Sequence, residues 1–319
     1  MPNWVQILNE IAALSHPEAF DTVRRKYVDR LYQHTGRNII SYYSAFLSKP
    51  DLAQLDIIDE DKNGFMMAIH QMDRTKGLDL ILHTPGGNIA ATQSIVNYLH
   101  KMFRGNIRAI IPQIAMSAGT MIACSCRAIF MGTHSNLGPI DPQLRGLPAY
   151  GVIEEFKRAV KEIKANQMMA VVWQPILNKY HPTFLGECQN AIDWSNDFVQ
   201  QQLEKVMFKN KPDRQQRAKK VVRELTNYEK NKGHDRHLHY EDCRKIGLNV
   251  KAIERDPEFQ DLVLTVHHCY MHSLMNTPTF KIIENHLGVA FAKQQMQRMM
   301  GMPMQMALSP AVLQQPPSP

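Results

Sequence analysis

Two short turns in this sequence carry residue types able to do acyl chemistry. The first, Thr84-Pro85-Gly86-Gly87, follows the apolar run Leu78 to His83 (LDLILH) and precedes helical spacing from Ala90 to Phe103. Consecutive glycines at a strand-to-helix junction let the backbone adopt conformations closed to other residues. They also leave N–H groups pointing outward at a helix N-terminus, where the dipole favours negative charge. Such amides suit a phosphate or a developing oxyanion. A purely structural turn uses the same letters, and no Lys-Ser or Lys-Thr follows, as a phosphate-binding loop would require. The second turn, Ala115-Met116-Ser117-Ala118-Gly119-Thr120, comes after the strand-like Ile107 to Pro112. A Ser between an apolar strand and a helix of small residues holds its Oγ near the helix N-terminus, which is where a nucleophile sits at the carboxyl end of a parallel sheet. Taken alone, Ser117 reads first as an N-cap. The pairing of the turns shifts that balance, because adjacent parallel strands put them side by side, with room for a carbonyl between nucleophile and donors.

The elements that must position these turns follow from periodicity. Residues 4–34 read as amphipathic helix, 37–46 as strand, 59–74 as helix, and 128–132 as a short fourth strand after a small-residue helix over 117–126. Strands alternating with helices at this rhythm mean right-handed crossovers and a mainly parallel sheet. After Pro148 the pattern turns helical and charged as far as Glu229, and His237 to Gly247 reads as a short strand or turn followed by a helix. The organisation expected is a helical segment over 1–36, an α/β domain over 37–250, a helical segment over 251–294, and a Met- and Pro-rich disordered tail over 295–319.

Three blocks together, ILHTPGG, then AMSAGTMIACS about thirty residues later, then MGTHSNLGPIDPQ, resemble the serine dehydrogenase proteinase family of the Clp/crotonase superfamily. The chain is similar, more distantly, to signal peptide peptidase A and to the Clp proteolytic subunit. The clear similarity spans about Arg37 to Gln143, and a weaker one covers Gly233 to Leu248 (GHDRHLHYEDCRKIGL). The resemblance implies a Clp/crotonase-like ββα superhelix with a mainly parallel sheet flanked by helices and a helical C-terminal part. It implies a serine-type endopeptidase working without cofactor or metal, on peptide or protein substrates, as a homo-oligomer. Ser117 falls at the nucleophile, the amides of Gly86 and Gly87 at the oxyanion hole, and Met116 and Ala118 at neighbours that line the site.

Ser Oγ needs a neighbouring base, and here the sequence departs from the Clp pattern. Where the Clp subunit has its base His, this chain has Ile140-Asp141; where related membrane peptidases carry a Lys, it has Tyr150 and Gly151. In the closing segment Asp235 falls at the acid of the Clp triad, preceded by His234. A triad with base and acid positions exchanged, His234 as base and Asp141 as its partner, is compatible with the variety of triad orders. Asp141, held between two prolines, reads equally as a structural carboxylate capping amides. Lys157, Lys161 and Lys164 are the other bases to weigh, although they alternate with Glu154, Glu155 and Glu162 in the manner of an ion-paired surface helix. His134 reads as a solvated loop residue, the cluster His234, His237 and His239 also as an exposed turn, and His83 as a structural residue bracing the turn beside it.

Composition excludes several classes. The net charge is +7, with the basic residues concentrated over 205–232. No nucleic-acid motif accompanies them, so a solvated helix face is expected there; peripheral contact with an acidic membrane surface stays open. Five scattered cysteines make no disulfide framework and fit a reducing, cytoplasmic compartment as small core residues. The N-terminus has acidic residues at Glu10 and Glu18 and lacks a cationic leader, and the longest apolar stretch, 109–131, is interrupted by Pro112, Gln113, Gly119 and Arg127. Two rival readings remain beside the peptidase. One is an oligomeric binding scaffold with little or no catalysis; the other is an acyl-CoA enzyme, against which stand Ser117 and the lack of a nucleotide motif.

Overall fold

The computed structural model describes residues 4–231 and 233–295. The expected disordered tail lies outside the described residues except for its first position. The strands are β1 (Asn38–Ser44), β2 (Leu78–His83), β3 (Ile107–Ile111), β4 (Ile114–Ala115), β5 (Ala128–Met131), β6 (Asn136–Leu137), β7 (Gln143–Leu144), β8 (Leu147–Pro148), β9 (Leu238–His239), β10 (Val250–Ala252), β11 (Thr279–Asn285) and β12 (Ala290–Gln294). The helices of the first half are α1 (Trp4–Leu14), α2 (Ala19–Thr35), α3 (Asp61–Ile69), α4 (Ile89–Phe103), α5 (Ala118–Cys124) and α6 (Ala149–Ala165). Those of the second half are α7 (Met169–Leu177), α8 (Phe184–Gln202), α9 (Arg214–Leu225), α10 (Tyr228–Asn231), α11 (Tyr240–Ile246) and α12 (Pro257–Asn276).

Seven strands make the main sheet in the order β10-β5-β3-β2-β1-β11-β12. The first five run parallel, and the β11–β12 hairpin adds antiparallel to β1. Every residue of β1 and β2 is buried, as strands covered on both faces require. One face packs on a core that includes Phe65, Ile95, Leu99 and Met121, the other on a core of Ile7, Val28, Leu31, Val263 and Tyr270. A third, smaller core (Val152, Phe184, Cys188, Ile192) sits between α6 and α8, apart from the sheet.

Two parts of the chain differ from the sequence reading. The single helix over 4–34 is broken into α1 and α2 at Ser15, whose φ is +50°, just before Pro17, which lacks the N–H a continuous helix needs. The segment 251–294 is helical only through α12; it then gives two strands. Their alternation is disguised because β11 buries two opposite charges, Lys281 and Glu284, one on each face of the sheet. Glu284 is met by Arg24 at 2.6 Å, Arg25 at 2.9 Å and the Tyr270 hydroxyl at 3.0 Å. Lys281 reaches both carboxylate oxygens of Asp61 at 3.0 Å and the Asp56 carbonyl at 2.7 Å. Asp61 also accepts from the Tyr42 hydroxyl at 2.8 Å and the Ile58 amide at 3.0 Å. All five cysteines are free and buried.

Removing one member of a buried pair leaves an uncompensated charge, whereas replacing both by apolar groups is far milder. Asp61→Ala is therefore expected to lower the unfolding free energy by about 3–5 kcal/mol in urea titrations, and Asp61→Leu with Lys281→Met by much less. Equal losses for the two variants would show that the pair is not what holds this region.

Candidate active site

The two turns are joined by Thr84, which continues β2 beyond its last residue. Its amide donates to Ile114 O at 3.2 Å and its carbonyl accepts from the Met116 amide at 3.0 Å, so β2 runs on beside β4. Gly86 thereby lies against Ser117: a Cβ at position 86 would stand 2.8 Å from Ser117 Cβ and 3.0 Å from Met116 O. Gly87, at φ +154°, is equally constrained, since a Cβ there would fall 2.3 Å from the Ile57 nitrogen. Ile57 grips the turn from its other side, donating to Gly86 O at 2.7 Å and accepting from the Asn88 amide at 2.9 Å. The Gly86 amide is engaged by Thr84 Oγ1 at 3.2 Å. The Gly87 and Ala118 amides form no hydrogen bond with a described residue.

Ser117 sits at φ +48° and ψ −110°, a conformation that costs of order 1–3 kcal/mol for a residue with a side chain. Its hydroxyl does not cap α5. The N-cap alternative is thus not how the side chain is used, and the Oγ is left for something else. A strained Ser on a sharp strand-to-helix turn is the geometry that exposes a nucleophile.

Ser117 opens into a cavity of about 530 Å³ whose wall also includes Pro85, Gly87, Asp141 and His234. Serine, histidine and aspartate, taken from three distant parts of the sequence, therefore face one space. Asp141 rides on a loop pinned to α5, because Thr120 Oγ1 both donates to Gly138 O at 2.9 Å and accepts from the Gly138 amide at 3.0 Å. Pro142 O accepts from the Ala149 amide at 2.8 Å, which fixes the far end. His234 precedes β9, which pairs antiparallel with β6, itself the parallel neighbour of β4 beside Ser117. Sheet pairing therefore brings the late histidine to the early serine.

The electrostatics of this pair are those of buried groups without partners. Asp141 is 6% exposed, and neither carboxylate oxygen completes a hydrogen bond. Burial pushes its carboxyl up to about 6, against a weak opposing pull from the Tyr150 amide. His234 is half-buried with Nδ1 unpartnered; burial lowers its pKa, and the Asp141 carbonyl and Asp235 act in the other direction. The three side chains surround the cavity without hydrogen-bonding one another.

The remaining sequence candidates fall elsewhere. Lys157, Lys161 and Lys164 are exposed on α6, Lys157 paired with Glu154 at 2.7 Å, and none reaches the cavity. His134, His237 and His239 are exposed. His83 is fully buried between Tyr43 and Phe46, with Nδ1 3.3 Å from Ser44 O and Nε2 3.1 Å from the Gln113 side-chain amide; burial lowers it to about 4, so it is a neutral brace. Met116 folds inward against Gly138 and does not reach the cavity wall, and the Ala118 methyl is buried in the core beneath it. The rest of the wall carried no signal in residue order: Asp56 and Ile57 before α3, Leu144 of β7, and Ala191, Trp194 and Ser195 of α8. These act through placement, not through a motif.

A mostly parallel sheet flanked by helices, with a Gly-Gly turn beside a strained serine, is the arrangement of a ClpP-like fold. A sequence profile described as ClpP-like SDH-type serine proteinase matches residues 21–287, and the chain belongs to that family. It is similar to two proteins of Methanocaldococcus jannaschii. It is 32% identical to Uncharacterized protein MJ0137 over 193 residues, 60% of this chain and 59% of that one. It is 33% identical to Uncharacterized protein MJ1495 over 112 residues, 35% of this chain and 38% of that one. The chain thus spans less than two thirds of the curated relatives it matches. Among the described residues no helix is long and apolar enough to cross a membrane.

Because the folded state raises the Asp141 pKa from 3.8 to about 6, the folded protein holds that proton more tightly than the unfolded chain. The associated stability is complete below about pH 4 and is lost as pH rises through about 6. Wild type is expected to lose about 1–3 kcal/mol relative to Asp141→Asn between pH 4 and pH 7.5, read from urea titrations at both values. A difference that does not change with pH would mean that Asp141 ionises freely.

Proposed function

We propose that the chain is a serine endopeptidase acting through a Ser117 acyl-enzyme. The observation that carries this reading is the single cavity onto which Ser117, His234, Asp141 and the Gly87 turn all open. In this reading His234 takes the Ser117 Oγ proton as the oxygen attacks a peptide carbonyl. The developing oxyanion is held by the Gly87 and Ala118 amides, because the Gly86 amide is already committed to Thr84. His234 then passes the proton to the leaving amine, and water repeats the sequence to release the acid. Asp141 orients the imidazole and stabilises its cation, an exchanged arrangement of base and acid positions. Catalytic hydrogen bonds often close only around substrate, so their absence in the free protein is compatible with this role.

That same absence favours a second reading, a scaffold that binds peptides without efficient hydrolysis. A fluorophosphonate probe separates the two, since it labels an activated serine and spares an inert one. Labelling of wild type with none of Ser117→Ala supports the peptidase; unlabelled wild type supports the scaffold. His234→Ala is expected to lower kcat by about a thousandfold or more with KM little changed. The active form needs a neutral His234, whose pKa lies below 6.5, and a charged Asp141, so activity rises with pH through about 6 and is complete by about pH 7.5. A rise centred well above pH 8 would point to a lysine base instead.

The reading includes self-association. Met168, Val171 and Val172 at the start of α7 each expose more than half their surface, more than a solvated helix needs. A mass at least twice 36.6 kDa by light scattering is expected at micromolar protein, and Val171→Asp with Val172→Asp should lower it. A monomer under those conditions would remove this part of the reading.

A further inference from the structure

Among the described residues the cavity wall carries carboxylates and no cationic side chain of Lys or Arg. Its titratable members there are Asp56, Asp141 and the half-buried His234. This is so in a chain with 37 Lys and Arg against 30 Asp and Glu. Asp141 is 94% buried, being 6% exposed, and its two oxygens are unpartnered. Asp56 differs from it in an instructive way. Its side chain is exposed and makes no hydrogen bond or ion pair with a described residue, while its backbone is held by a buried side chain. The Asp56 carbonyl accepts from the buried Lys281 ammonium at 2.7 Å, and that ammonium is already neutralised by Asp61. The next residue, Ile57, is clamped on both sides to the Gly86-Gly87 turn. A carboxylate is therefore presented at the cavity from a held backbone, one residue from the bridge at Ile57 that grips the turn.

We infer that Asp56 is a specificity-determining residue that selects substrates with a cationic group, an ammonium or guanidinium, beside the bond presented to Ser117. This rests on the peptidase reading for what happens at that bond, but the charge selection itself is a property of binding. A carboxylate near the surface attracts a cation a few ångströms away strongly enough for about tenfold selectivity over a neutral isostere. Asp141 adds field of the same sign from the cavity wall, so an acidic side chain is disfavoured twice. The Asp56 side chain makes no hydrogen bond in holding the fold: its carboxylate adds a Coulombic attraction to Lys281 that ranks behind that of Asp61, and the group Lys281 bonds is the backbone carbonyl, which any residue supplies. Substitution at Asp56 therefore changes the cavity charge and leaves the clamp intact.

The experiment uses the full chain carrying Ser117→Ala, so that binding is read without turnover. Fluorescein-labelled alanine octapeptides carry one Lys, one norleucine or one Glu at each central position in turn, and affinities are measured by fluorescence anisotropy. With the dye on the N-terminus, the best Lys peptide is expected to bind about tenfold tighter than its norleucine counterpart and the Glu peptide more weakly still. Adding Asp56→Asn should reduce the Lys preference to less than twofold, and Asp56→Lys should turn it toward Glu. With the dye on the C-terminus, a norleucine peptide that binds about tenfold tighter than its N-terminally labelled counterpart, a gain lost with Asp56→Asn, supports the same selection with the chain-end ammonium as the cation. Equal affinities for Lys and norleucine in both formats, or a preference that survives Asp56→Asn, overturns the inference. Fluorophosphonate labelling of the Ser117-bearing protein is read alongside. Labelling without charge preference removes the role of Asp56 alone; charge preference without labelling removes the peptidase reading alone.

Discussion

A lysine ammonium taken wholly out of water organises the site from a distance. Lys281 arrives on β11, a strand contributed by the last part of the described chain, and can be buried only because Asp61 meets it with both oxygens. The same carboxylate takes the Ile58 amide, and the ammonium takes the Asp56 carbonyl, so the segment between Leu55 and Asp61 has one available path. Ile57, on that path, supplies both hydrogen bonds that flank Gly87. Without the ion pair the loop would be an ordinary exposed connection, and the Gly-Gly turn would lose its outer support. A buried salt bridge is weak evidence for net stability. What this one contributes is a single geometry for the segment beside the turn.

Against that background the cavity stands out for being unsatisfied. Asp79 is met by Arg37 and Arg108, and Glu284 by two arginines and a tyrosine, so these buried carboxylates away from the site are fully engaged. Asp141 and one nitrogen of His234 are left without partners, and Ser117 is held in a conformation its neighbours impose. Unpartnered buried polar groups and a strained serine meet at this one cavity, which is the pattern of a site whose polar groups wait for a ligand.

Much of this was legible from residue order. The runs LDLILH and IRAIIP announced two central parallel strands; β2 begins and ends where its apolar run does, and β3 stops one residue short of Pro112. Ser117 and the glycines stood out because a sharp strand-to-helix turn and a close backbone approach restrict residue type, and the fold sets the two turns side by side. The hairpin β11–β12 was hidden because charges inside a strand look like surface residues until their partners, more than 200 positions away, are in view. The division of labour between Gly86 and Gly87 was equally out of reach: both letters allow an exposed amide, and only the Thr84 hydroxyl decides which is occupied. Asp56 has no motif at all. Its placement comes from a backbone carbonyl and a bridge at the next residue, neither of which depends on side-chain identity.

The backbone at Ser117 also bears on how such a protein ages. A residue at φ +48° and ψ −110° is strained for every amino acid with a Cβ and relaxed for glycine. Replacement by Gly at this position would release that strain, so the fold by itself has a standing incentive to discard the serine. The chain keeps it against that drift. Copies freed from selection for the hydroxyl would be expected to lose it early and to gain thermal robustness as they did, so a lineage that has become a mere scaffold should be recognisable by a glycine where this sequence has Ser117.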